Sequence, residues 1–142
     1  MNLRRKIALV LMIGAVTACH DTSATGIPAS YALTAINGNQ LPASYSGIPT
    51  GSTVVSGALI LDGAGLAVFL EERRDANGVQ STVTTKYRYT IKDNVIEFDY
   101  PSCRQAPCIS LPKGTLADDH ALIDFSSGQG RQIFDYMLGG DI

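Results

Sequence analysis

Between Val79 and Lys92 the side chains alternate without a break. Val79, Ser81, Val83, Thr85, Tyr87, Tyr89 and Ile91 fall on one face, and Gln80, Thr82, Thr84, Lys86, Arg88, Thr90 and Lys92 on the other. A period of two places successive side chains on opposite sides of a pleated strand, so this run predicts a strand with one face on a core and the other in water. The same run excludes an outer-membrane barrel, whose outward face stays apolar through about 25 Å of membrane. Lys86 and Arg88 are costly on such a face, and turning them inward leaves Ser81 and Thr85 among the lipid-facing residues.

The rest of the chain falls into place around that strand. Tyr31 to Ile36 predicts a strand stopped by the turn pair Asn37-Gly38. Residues 39 to 51 hold two prolines and two glycines and read as a loop. Thr53 to Leu61 and Leu66 to Arg74 are joined by Asp62-Gly63-Ala64-Gly65, and Asp75-Ala76-Asn77-Gly78 leads into the alternating run. After Lys92-Asp93-Asn94 a strand from Val95 to Tyr100 puts Ile96, Phe98 and Tyr100 on one face. Ile109 to Leu116, broken by Pro112 and Gly114, reads as a short or irregular edge strand. Ala121 to Phe125 and Arg131 to Leu138 follow two further turns, and Phe134, Tyr136 and Leu138 share a face. No window after residue 18 has helical spacing. Eight strands at hairpin spacing predict an all-β fold, an antiparallel up-and-down meander closing into a small barrel.

The N-terminus carries an address. Arg4, Arg5 and Lys6 precede an uncharged apolar run from Ile7 to Val16, the layout of a secretory signal. That run is about half the ~20 residues a membrane-spanning helix requires. Val16-Thr17-Ala18-Cys19 then resembles the bacterial lipobox, in which the cysteine becomes the lipid-modified N-terminus. The resemblance implies a signal peptide at 1–18, a diacylglyceryl group with palmitate-type chains on Cys19, a flexible Ser/Thr/Ala-rich tether at 19–30, and a domain at 31–142. The expected location is the cell envelope, on the periplasmic face of the outer membrane in a Gram-negative cell. On this reading Cys19 supplies the whole membrane attachment, and the domain has no membrane face of its own.

Loss of residues 1–18 removes three cations, leaving eight against 13 acidic residues, a formal balance of −5. Nucleic acid and anionic lipid surfaces are therefore poor partners. With 45% hydrophobic and 17% charged residues the chain can build a core as one domain. Cys103 and Cys108 remain, with four residues between them in an exported chain, and the oxidising compartment makes a disulfide the expected state. Redox pairs usually have two intervening residues, and no histidine lies near to complete a zinc set.

Tyr31-x-Leu33 followed by Ile36-Asn37-Gly38-x-x-Leu41-Pro42, with Ser56-Gly57-x-Leu59-x-Leu61 ahead of a glycine turn, resembles small bacterial lipocalin-like lipoproteins with an up-and-down barrel. The resemblance spans most of residues 30 to 138 and implies fold and envelope location rather than activity. True lipocalins carry Gly-x-Trp near the first strand, and this chain has no Trp. An eight-stranded barrel is wide enough to be filled by side chains or to hold one small ligand, and a domain of this size favours filling.

The chemistry-bearing clusters are few. Asp118-Asp119-His120 suits a hairpin turn better than a metal set, and Glu71-Glu72-Arg73-Arg74 reads as a solvated rim at a strand end. Ser81, Ser102 and Ser110 have no adjacent histidine and no nucleophile elbow. No cofactor, metal or catalytic residue is therefore expected. The sequence points to a non-enzymatic binding module for a small apolar ligand or an envelope protein, with Val83, Tyr87, Tyr89, Phe98, Phe134 and Tyr136 as the inward candidates. The alternative is a structural or interaction lipoprotein with a filled core, docking to other envelope components.

Overall fold

The computed structural model describes residues 28–100, 111–125 and 130–139. The signal peptide, Cys19, Cys103 and Cys108 lie outside the described residues. Within them the fold is all-β, with nine strands: β1 (Ala29–Ile36), β2 (Asn39–Gln40), β3 (Thr53–Leu61), β4 (Leu66–Arg74), β5 (Gln80–Lys92), β6 (Val95–Asp99), β7 (Lys113–Ala117), β8 (His120–Asp124) and β9 (Ile133–Leu138). Every pairing is antiparallel between chain neighbours from β3 to β9, and β9 returns to pair with β1. Eight strands thus close into a barrel, and two-residue β2 adds a short extension on β1.

Turn chemistry sets the meander. Asn37 (φ 53°) and Gly38 (φ 78°) both take positive φ, as do Asp93 (φ 51°) and Asn94 (φ 64°), which is the backbone of tight hairpin turns whose twist matches the strands. Asp62 Oδ1 accepts hydrogen bonds from the Ala64 and Leu66 amides at 2.7 and 2.8 Å, and Asp75 Oδ1 does the same for Asn77 and Val79, both at 2.8 Å. Register shifts between Leu33 and Ala35 and between Val54 and Ser56 bend β1 and β3, and such bulges supply the curvature that closure demands.

The expected inward face of β5 is confirmed over its second half, where Tyr87 and Tyr89 are buried while Lys86, Arg88 and Thr90 are exposed. Val79 lies ahead of β5, at the end of the turn that starts at Asp75, and is exposed. The interior is filled. Phe69 lies at its centre with rings of Tyr87, Phe98, Phe125 and Tyr136 at 5.5, 5.2, 5.2 and 6.2 Å, all edge-on. Edge-to-face pairs at such distances contribute about 0.5–1.5 kcal/mol each beyond the area they bury. Leu33, Ile36, Leu59, Ile96 and Ile123 pack around them.

Two expectations need correcting. The segment ending at Leu116 is not an edge: β7 pairs with β6 on one side and β8 on the other, because closure removes edges altogether. Gly114 is required there, since a Cβ would run into the Leu122 carbonyl oxygen and Ile123 Cδ1. Residues 39 to 51 are more than a loop. They hold β2 and an Ala43–Val54 bridge, and Leu41, Ala43, Tyr45 and Ile48 pack against the core, so the segment folds over one end of the barrel.

Candidate functional site

Strand β4 changes character along its length. Its inward residues run Ala67, Phe69, Glu71, Arg73, so the alternation that buries apolar side chains in the lower barrel carries a carboxylate and a guanidinium inward at the upper end. Glu72 and Arg74 point out to solvent. The four-residue charge run is therefore not a uniform rim, because a period of two divides it. The Glu71 and Arg73 side chains retain only 14% and 20% of their exposure and pair at 2.9 Å.

Tyr45, delivered by the folded-over segment, completes the group. Its hydroxyl donates to the Glu71 carboxylate, 3.1 Å from Oε2 and 3.3 Å from Oε1, and accepts from Arg73 Nη2 at 2.8 Å. Arg73 Nε donates to Glu71 Oε2 at 3.0 Å. The Arg73 guanidinium carbon lies 5.9 Å from the Tyr45 ring centroid, within cation–π range. Burial, then the Glu71 charge, pushes the Tyr45 phenol up to about 12. It therefore stays a neutral donor at ordinary pH.

Beside this group opens a cleft of about 410 Å³ bordered by Tyr45, Glu71, Arg73, Tyr87, Phe125 and Gln132 among others. Its floor is aromatic: Phe134 meets Tyr45 edge-on at 5.1 Å and Phe125 at 4.7 Å. Gln132 is buried, and its side-chain amide donates to the Ser46 carbonyl and, at 2.7 Å, to Ser46 Oγ, fixing the segment over the mouth. Tyr87 and Tyr100 bring their hydroxyls within 3.4 Å, with ring centroids 4.9 Å apart. Burial first, and then that hydrogen bond, raises the Tyr87 phenol. An aromatic floor with a few convergent polar groups is the usual make-up of a small-molecule site.

Of the six inward candidates, Tyr87, Tyr89, Phe98, Phe134 and Tyr136 pack into one core cluster rather than around an open cavity. Val83 is partly buried and sits opposite Glu71 in the register. Tyr87 and Phe134 reach the cleft. Tyr89 lies toward the opposite end, where its hydroxyl accepts from the Gly63 amide at 3.2 Å. Sequence reasoning missed Tyr45, Glu71, Arg73 and Gln132 as site residues. For Glu71 and Arg73 a signal was present, since both continue the inward parity of Ala67 and Phe69.

Asp118 and Asp119 form the expected turn, and His120 opens β8 with Nε2 3.3 Å from Asp135 Oδ1. Among the described residues no group of three or more His, Cys, Asp or Glu side chains is arranged to hold a metal. No family model, curated protein or solved structure matches the chain.

Proposed function

We propose that the chain is an envelope lipoprotein whose filled barrel is a non-catalytic binding module, with recognition at the mouth rather than inside the barrel. The observation that carries this reading is the inward Glu71–Arg73–Tyr45 group beside the mouth cleft. Burying an ion pair costs desolvation that its own attraction barely repays, and well-packed apolar residues in its place are often equally or more stable. A largely apolar core gains little from such a pair as filling, so the pair is best explained by the cleft it borders. Its charges compensate each other, which suits a neutral hydrogen-bonding head group. The rings of Phe125 and Tyr87 offer an apolar surface for the rest of the ligand. The lipobox at Cys19 and the resemblance to lipocalin-like lipoproteins support the envelope location.

Native mass spectrometry of protein purified from its own envelope tests the proposal. The wild type should carry a small-molecule adduct that the Glu71→Leu/Arg73→Leu double variant lacks. Bare protein mass in both refutes ligand binding at the mouth. The closed core favours one second reading, a lipoprotein that docks to other envelope proteins. Bare mass together with one specific crosslinked partner would establish it.

A further inference from the structure

Strands β3 and β4 lack the alternation that marks β5. Gly57-Ala58-Leu59-Ile60-Leu61 and Leu66-Ala67-Val68-Phe69-Leu70 are apolar on both faces. In an antiparallel sheet with one wet side the outward positions are expected to be polar, and a continuous apolar run marks a strand that meets apolar surroundings on both sides. The register shows how these outward residues gather. Ala58 sits opposite Leu70 and Ile60 opposite Val68 across the β3–β4 pair. Ala32 of β1 faces Ala58 on one side and Met137 of β9 on the other. The outer wall over β9, β1, β3 and β4 is thus a contiguous apolar surface, with Met137 48% exposed and Ala32 exposed beside it. Across the barrel the outward positions Glu97 and Asp99 on β6 and Lys113 and Thr115 on β7 are polar, and the exposed apolar residues there are Val95 and Leu122, one on either side of Thr115.

We infer that this wall lies against the lipid surface to which the chain is tethered. The inference rests on the lipid-anchor reading of Cys19 and departs from the expectation that the domain has no membrane face. The chain itself points to the occupant. Strand β1 begins at Ala29, ten residues beyond Cys19, and ten extended residues reach about 35 Å at most. Ser30 lies directly opposite Ile60, so the tether enters the domain at the border of the apolar wall and holds that wall within reach of the membrane. With a formal balance of −5 after signal removal, charge does not draw the domain to an anionic surface. The contact is an apolar one at the level of the head groups. Lys86 and Arg88 border it opposite Val68 and Leu66, where long stems can lie along the apolar surface with their charges in the head-group layer. The mouth lies at the opposite end of β1 from the tether, near Ile36 and Phe134. A barrel lying on this wall therefore keeps its cleft open to solvent.

The chain contains no tryptophan, so one introduced residue is a sole reporter. Val68→Trp places it on the wall, and Thr115→Trp places it on the far side. Each full-length lipidated protein is reconstituted on neutral phosphatidylcholine vesicles with brominated acyl chains and recovered by flotation. The expected result is co-flotation of both, with a blue-shifted Val68→Trp emission quenched several-fold more strongly than that of Thr115→Trp. Co-flotation with equal or no quenching overturns the docking and leaves the anchor standing. Failure to float overturns the anchor reading, and the docking with it. A blue shift at Val68→Trp without bromine quenching, accompanied by a crosslinked dimer, assigns the wall to a second copy of the chain and also overturns the inference.

Discussion

Removing the two charges at the barrel mouth one at a time, and then together, separates a pair kept for recognition from a pair kept for stability. Glu71→Leu leaves Arg73 in a largely buried position whose remaining polar neighbour in this group is the Tyr45 hydroxyl. Arg73→Leu leaves the carboxylate with Tyr45 as its donor. Breaking a fully buried pair costs about 3–5 kcal/mol because one charge is left uncompensated, and the residual exposure of both side chains puts this pair at the lower end, about 3 kcal/mol. For a domain of this size each kcal/mol moves the thermal midpoint by about 4 °C, so either single variant should lose about 12 °C. The double variant replaces both charges with apolar side chains, and it should return to within about 1 kcal/mol of wild type. Thermal and urea unfolding followed by far-UV circular dichroism measure all three. A double variant as unstable as either single one would show that the pair holds the barrel together, and the case for a recognition role would fall.

Three other outcomes follow from the same structure. Because burial, then the Glu71 charge, pushes the folded-state phenol of Tyr45 up to about 12 from its ordinary 10.0, its contribution is fully present below pH 10 and is lost as pH rises from about 10 to about 12. Unfolding midpoints measured across that range should fall, and Tyr45→Phe should flatten the fall; an unchanged slope contradicts the assignment. Phe69→Ala deletes the central ring of the aromatic cluster and should cost about 3–5 kcal/mol in urea unfolding; a loss below about 1 kcal/mol would mean that the interior is not close-packed. Cys19→Ala should release or mislocalise the protein in detergent-free fractionation without lowering its thermal midpoint, whereas a variant that still sediments with membranes contradicts the lipid-anchor reading.

The fold was legible wherever one face of a strand is wet. Alternation around Tyr87 and Tyr89 and the turn pairs Asn37-Gly38 and Asp93-Asn94 mark an antiparallel meander from local chemistry alone. Closure was not local. Whether β7 is an edge depends on β9 reaching β1, a contact about a hundred residues apart in sequence, and Pro112 and Gly114 imitate edge signals for a different reason. Proline precedes the strand, and glycine permits a close approach to β8. The mouth was half legible. Glu71 and Arg73 follow the inward parity of their strand, but charged residues next to a turn resemble any solvated strand end. Tyr45 and Gln132 could not be placed, because what brings them to the site is the packing of residues 41 to 48 over the barrel end and the Gln132–Ser46 hydrogen bonds. The apolar outer wall left its trace in the unbroken runs of β3 and β4, which read locally as ordinary buried strands.

The proposed recognition of a ligand at the mouth of the filled barrel has a direct test. The most direct measurement is an amide chemical-shift map of isotope-labelled protein titrated with the small-molecule extract of its own envelope. Shifts should concentrate at Tyr45, Glu71, Arg73, Phe125 and Gln132, around the cleft, and vanish in the Glu71→Leu/Arg73→Leu variant. Shifts centred on Leu59, Ile96 and Ile123 in the barrel interior, or none anywhere, would contradict it.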